Sequence, residues 1–123
     1  MLFLLASPVT AQAAPPVTMV RLRVTATEAD RALLLERLNH NAKGRNLGFE
    51  TGGDAYDYKI MFATEDDPRH WMTLNTASAS AEVYDPGGVL LFSVRRENRA
   101  SVGGAANAVA KEVIKRILRS RQK

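Results

Sequence analysis

The sequence of 123 residues contains no cysteine and no long hydrophobic run. The first absence excludes disulfide bonds, thiolate metal sites, a cysteine nucleophile and a lipid-modified cysteine within these residues. The second argues against a membrane-spanning helix, which needs about 20 mostly apolar residues, because the apolar stretch at 2–6 is far shorter. Without disulfide bonds, the fold must depend on its hydrophobic core alone.

Motifs that define a chemistry are also missing. The sequence contains no P-loop of the GxxxxGK type, no GxGxxG fingerprint and no GxSxG nucleophile elbow. Glu36 and His40 are spaced by one helical turn and could bind a metal ion. Because no second ligand pair has a recognisable spacing, we favour a solvated helix end in which His40 complements the helix dipole. We therefore predict no metal site and no cofactor.

The second histidine, His70, supports the one catalytic alternative. It follows Asp66 and Asp67 closely and precedes Trp71, so an acid–base pair with either carboxylate is possible. The other interpretation is a loop that Trp71 anchors to the core. We assign no catalytic residue, and a small hydrolase or ligand-binding enzyme using His70 with Asp66 or Asp67 remains the alternative.

The first residues, MLFLLASPVTAQAAPP, resemble the end of a secretory signal peptide. A short apolar run precedes Ala11-Gln12-Ala13, which has the small-x-small pattern of a signal peptidase site. No basic residue precedes Arg21, so we expect that the true start lies upstream or that Met1 lies inside a longer leader. An apolar strand of the fold is the alternative, but the prolines disfavour it. We predict a signal peptide remnant at 1–13 and a periplasmic or secreted location.

The remaining chain predicts one α+β domain at 17–120. Its apolar content, 46% over the whole chain, is sufficient for one core. Periodicity and turn signals predict strands at 17–25, 47–51, 56–64, 76–84 and 89–96, and helices after Thr27 and Ser101. The order β-α-(β)-β-β-β-α suggests a two-layer sandwich: a mainly antiparallel sheet with both helices on one face. Within the last hairpin, alternation predicts Leu90, Phe92 and Val94 as the buried set.

Positive charge is concentrated at the C-terminal end. Residues 1–94 hold eight basic and eleven acidic side chains, whereas residues 95–123 hold nine basic and two acidic ones. Such a segment suits an anionic partner. The candidate binding residues are Arg95, Arg96, Arg99, Arg116 and Arg119. A solvated loop with helix-dipole complements explains the same residues equally well.

Three stretches of the second half resemble small bacterial envelope accessory domains. These stretches are YDYKIMFAT, TASASAEVYDPGGVLLFSVRRE and SVGGAANAVAKEVIKRIL, within residues 56–118. The chain is similar here to penicillin-binding-protein activator lipoproteins, CsgG-like proteins and the TolB N-terminal domain. Asp85 with Gly87 or Gly88 matches the turn of those domains, and Ala106 with Ala110 matches the helix. The resemblance implies a non-enzymatic domain that binds envelope proteins.

Together these features predict an exported accessory or binding domain that contacts an envelope protein or an anionic surface. The C-terminal helix, the 95–99 segment and the edge of the 47–51 strand are the candidate contact regions. Membrane contact would be peripheral at most. A nucleic-acid-binding domain is a further alternative, which export disfavours.

Overall fold

A computed structural model describes residues 17–66, 77–98 and 101–121. The predicted signal peptide at 1–13 lies outside these ranges, as do Asp67, His70 and Arg99. Neither the signal peptide nor the proposed acid–base pair is therefore tested by the structure, and both stay predictions.

The described residues form one five-stranded sheet and two helices. The elements are β1 (Thr18–Thr25), α1 (Glu28–Ala42), β2 (Leu47–Thr51), β3 (Tyr58–Glu65), β4 (Ala77–Tyr84), β5 (Leu90–Asn98) and α2 (Val102–Arg121). The strand order in the sheet is β2-β1-β3-β4-β5. The predicted α+β class and element order are confirmed.

The sheet is mixed, whereas the sequence suggested a mainly antiparallel one. Strand β1 runs parallel to both β2 and β3, and β4 runs antiparallel to β3 and β5. The parallel pairing of β1 with β2 follows from the helix that joins them, because a crossover returns the chain in its original direction. Strands β2 and β5 stand first and last in the strand order, so they form the two edges of the sheet.

Both helices cover one face of the sheet, and no described helix or strand covers the other, which we call the open face. Helix α1 packs on β2, β3 and α2, and α2 packs on β4 and β5. Alanines line much of the contact between α2 and β4, where Ala79, Ala81, Ala105 and Ala106 are almost fully buried. Small side chains at this contact allow the helix backbone to approach the strand closely. Neither described helix is long and apolar enough to cross a membrane.

The predicted caps and turns are present. Thr27 accepts a hydrogen bond at Oγ1 from the Asp30 backbone N–H at 3.2 Å, and so caps α1. Gly44 follows α1 with a φ of 81°, a conformation that glycine adopts without steric cost. Asp85 accepts from the Gly88 N–H at its carbonyl and from the Val89 N–H at Oδ1, which closes the β4–β5 turn.

The expectation that Leu90 is buried is wrong. Val94 is buried and Phe92 is half-buried, but 49% of Leu90 is exposed. The cause is a register shift between Val83 and Tyr84, after which Tyr84 pairs with Leu90. A bulge of this kind breaks the inside–outside alternation on which the prediction rested.

Candidate anion-binding surface

The arginines of β5 lie on opposite faces of the sheet. Arg95 pairs in register with Ser80 on the open face, where its Nη1 donates to Glu97 Oε2 at 2.6 Å. It borders a shallow depression of about 380 Å³ that Met61, Ser80 and Glu82 also line. Arg96 pairs with buried Ala79 and points to the helical side. The five predicted residues therefore do not form one cluster, and Arg99 lies outside the described residues.

Glu112 of α2 is held between two of the predicted arginines. Its Oε2 accepts from Arg116 Nε at 2.8 Å, and its Oε1 lies 3.5 Å from Arg96 Nη2. The hydrogen bond from Arg116 lowers the pKa of Glu112 below its ordinary value of 4.5, with further lowering by the charges of Lys115, Arg116 and Arg96; partial burial opposes this effect. The carboxylate thus neutralises part of the charge that the sequence assigned to binding.

This pKa predicts a pH dependence of stability. Because folding depresses the pKa of Glu112, its contribution is present above pH 4.5 and is lost as the pH falls through the lower folded pKa. We expect the unfolding free energy of the wild type to fall more steeply below pH 4.5 than that of Glu112→Gln. The contribution should be about 1 kcal/mol or less, since the pair is partly solvated. Urea denaturation from pH 3 to pH 7 would measure it, and parallel curves would contradict the assignment.

Three other basic side chains gather where α2 faces the end of α1. Lys111 and Lys115 lie one turn apart on α2, and Arg45 follows α1. Together with Asn41 and Glu112 they line a groove of about 630 Å³, and we call Arg45, Lys111 and Lys115 the cationic helix face. All three are exposed, and no ion pair joins any of them to an acidic residue of the described chain.

Contacts between the helices position this face. Asn41 Nδ2 donates to Asn107 Oδ1 at 2.8 Å and to the Arg37 carbonyl at 2.8 Å. The first bond ties α1 to α2 beside the groove, and Ile114 lies almost fully buried beneath it. The spacing of Lys111 and Lys115 was visible in the sequence. The position of Arg45 was not, because it depends on how the two helices pack.

A second groove lies along the β5 edge. Leu91 and Phe92 of β5 and Arg116, Arg119 and Ser120 of α2 line a space of about 340 Å³. The Arg116 guanidinium lies 5.4 Å from the centre of the Phe92 ring, within range of a cation–π contact. We call this feature the edge groove. It holds two of the five predicted binding residues, Arg116 and Arg119.

The histidine at the end of α1 has no set of metal ligands around it among the described residues. His40 is exposed in the last turn of α1. Among the residues that the structure describes, no group of three or more histidines, aspartates or glutamates could hold a metal ion. This placement agrees with a helix-end role for His40.

Comparison with known proteins gives similar folds and no family. No protein-family model and no curated protein matches the chain. Similar solved structures include a PelC dodecamer from Paraburkholderia phytofirmans (12% identity, TM-score 0.45, 84% of this chain and 90% of that one). A DUF330 protein from Xanthomonas campestris has 14% identity and a TM-score of 0.49, covering 87% and 88% of the two chains. A minor lipoprotein from Acinetobacter baumannii has 12% identity and a TM-score of 0.46, covering 84% and 94%.

At these identities the likeness concerns the arrangement of helices and strands, and it assigns no site residue. It does not establish membership of the activator-lipoprotein, CsgG-like or TolB groups. That resemblance therefore stays a prediction from the sequence.

Proposed function

We propose that this protein is a non-enzymatic accessory module of the bacterial envelope that docks onto an anionic surface through the cationic helix face. The observation that carries the proposal is the grouping of Arg45, Lys111 and Lys115 around one groove, where they outnumber Glu112, the acidic residue that also lines it and is paired with Arg96 and Arg116. The envelope location rests on the predicted signal peptide at 1–13.

The geometry suits a broad anionic surface. Lys111 and Lys115 stand on successive turns of α2, about 6 Å apart along the helix, and Arg45 adds a third charge from another element. Each basic side chain near an anionic lipid surface contributes about 1 kcal/mol to the free energy of binding. Three such residues would give an attachment that is peripheral, reversible and sensitive to salt. The acidic face of an envelope protein would be bound by the same chemistry.

Vesicle binding tests the proposal with phosphatidylglycerol as the anionic headgroup. The full chain is mixed with vesicles of phosphatidylcholine, alone or with 30% phosphatidylglycerol, and separated by flotation. We expect binding to the anionic vesicles that falls at least about tenfold between 50 and 300 mM salt, because salt screens exposed charges. Binding to phosphatidylcholine alone measures any contribution of the apolar N-terminal residues.

Two results would contradict the proposal. Salt-insensitive binding, equal on both kinds of vesicle, would assign attachment to the N-terminal residues. Absence of vesicle binding together with tight, strongly salt-dependent binding to duplex DNA would favour the nucleic-acid alternative.

A further inference from the structure

The two edges of the sheet are protected differently. At the β2 edge, Asn39 of α1 donates through Nδ2 to the Phe49 carbonyl at 3.1 Å and accepts through Oδ1 from the Phe49 N–H at 2.8 Å. This side chain occupies both backbone groups of the residue, as a neighbouring strand would. Because a blocked edge cannot pair with another chain, the structure disfavours strand addition at Phe49.

Within the part of the chain that the structure describes, the β5 edge has no such cap where it lines the edge groove. Among the described residues, no side chain is hydrogen-bonded to the backbone of 90–94. Further along the strand, the Arg96 guanidinium donates to the Arg95 carbonyl at 2.8 Å. An edge strand leaves the backbone groups of alternate residues without a strand partner. Residues 90–94 therefore offer a template for an added strand.

Apolar side chains are exposed at the same place. Val89, Leu90 and Leu91 are 60%, 49% and 46% exposed, and they are consecutive. Edge strands are usually protected by charges or prolines, and the start of β5 has neither. Neighbouring exposed apolar side chains on an open edge indicate a contact surface.

The side chains that line the edge groove indicate the charge of a ligand that would bind there. Arg116 is fixed by Glu112 at 2.8 Å and lies over Phe92, so its position is set before any ligand binds. Arg119 is exposed beside it and has no acidic partner in the described part of the chain. Two arginines and no acidic side chain line the groove among the described residues, and the groove therefore favours a carboxylate.

We propose that β5 binds an extended protein segment in which aliphatic and acidic side chains alternate. The backbone of the segment would pair with residues 90–94, and its carboxylates would lie on the helical side and meet Arg119 and Arg116. Its aliphatic side chains would lie on the opposite face, beside exposed Leu90. Addition of a strand to a sheet edge gains affinity from main-chain hydrogen bonds and specificity from alternate side chains. This site is separate from the cationic helix face and does not depend on it.

Fluorescence anisotropy with two synthetic peptides tests the inference. The acidic probe is the capped heptapeptide of sequence Val-Asp-Val-Glu-Val-Asp-Val, and the matched probe has lysine at every acidic position. We expect the full chain to bind the acidic probe at least about tenfold more tightly. Arg119→Glu should abolish that preference, whereas Arg121→Glu, with the same charge change outside the groove, should retain most of it.

Hydrogen exchange distinguishes strand addition from simple charge attraction. With the acidic probe bound, amides within residues 90–94 should become protected, whereas those of β2 should not. Leu90→Ser should weaken binding at least about tenfold, because it removes an exposed apolar contact without adding a charge. Protection confined to α2, or no preference for the acidic probe, would overturn the proposal.

A variant of the cationic helix face separates this inference from the proposed function. Lys111→Glu should weaken vesicle binding and leave the peptide affinity within about threefold. A protein that binds vesicles but not the acidic peptide would retain the proposed function and lose this inference.

Discussion

Replacing Lys111 and Lys115 together by glutamate is expected to weaken binding to phosphatidylglycerol vesicles at least about 30-fold. Each lysine near an anionic surface contributes about 1 kcal/mol, and 1.4 kcal/mol corresponds to a tenfold change in affinity. Removing two such charges accounts for the lower bound of about 30-fold on the loss of affinity. The two new carboxylates add repulsion from the anionic headgroups. Both side chains are exposed on α2, so the fold should be retained. Vesicle flotation at 50 mM salt measures the change.

The matched control places the same charge change on the open face of the sheet. Lys59 and Arg95 lie on that face, in β3 and β5, opposite Tyr84 and Ser80 of β4. Lys59→Glu with Arg95→Glu alters the net charge by the same amount as the α2 pair. We expect the vesicle affinity of this control to fall by less than about fivefold. Equal loss in both proteins would show that total charge matters rather than the cationic helix face.

Truncation of Leu38 should cause the largest loss of stability. Leu38 lies in α1, is fully buried, and belongs to the same core cluster as Ile60 and Ile114. Leu38→Ala should lower the free energy of unfolding by about 2–5 kcal/mol, because it removes buried methyl groups and leaves a cavity. The total free energy of unfolding of a folded domain is about 5–15 kcal/mol, so this loss would be a large part of it. Urea denaturation measures the loss.

Leu91 provides the matched truncation outside the core. Leu91 is 46% exposed on β5, and Leu91→Ala should cost less than about 1 kcal/mol. Similar costs for Leu38→Ala and Leu91→Ala would contradict the two-layer core, in which α1 is held on the sheet by its buried side chains.

Local patterns predicted the elements of the fold correctly. The alternation through β4 placed Ala79 and Ala81 inward, and Thr27 marked the start of α1. Strand order is different, because it depends on contacts between residues far apart in the chain. The position of β1 between β2 and β3 had no local signal, and neither did the bulge that exposes Leu90.

At the candidate site, too, some features were evident from local sequence and others depend on contacts between distant residues. The basic character of α2 was evident from composition, and Glu112 with Arg116 has the i, i+4 spacing of a helical ion pair. The sequence did not show that Arg96 of β5 would reach the same carboxylate. Since Glu112 holds two of the predicted arginines, the exposed cations of the two grooves that form no ion pair within the described residues are Arg119 and, at the other groove, Arg45, Lys111 and Lys115.

Lysine labelling of the wild-type chain on vesicles tests the central claim most directly, because it needs no substitution. An amine-reactive reagent is applied at 50 mM salt with and without phosphatidylglycerol vesicles, and mass spectrometry follows each lysine. If the cationic helix face meets the surface, labelling of Lys111 and Lys115 should slow at least about fivefold while that of Lys59 is unchanged. Equal slowing at all three, or protection of Lys59 alone, would contradict the account.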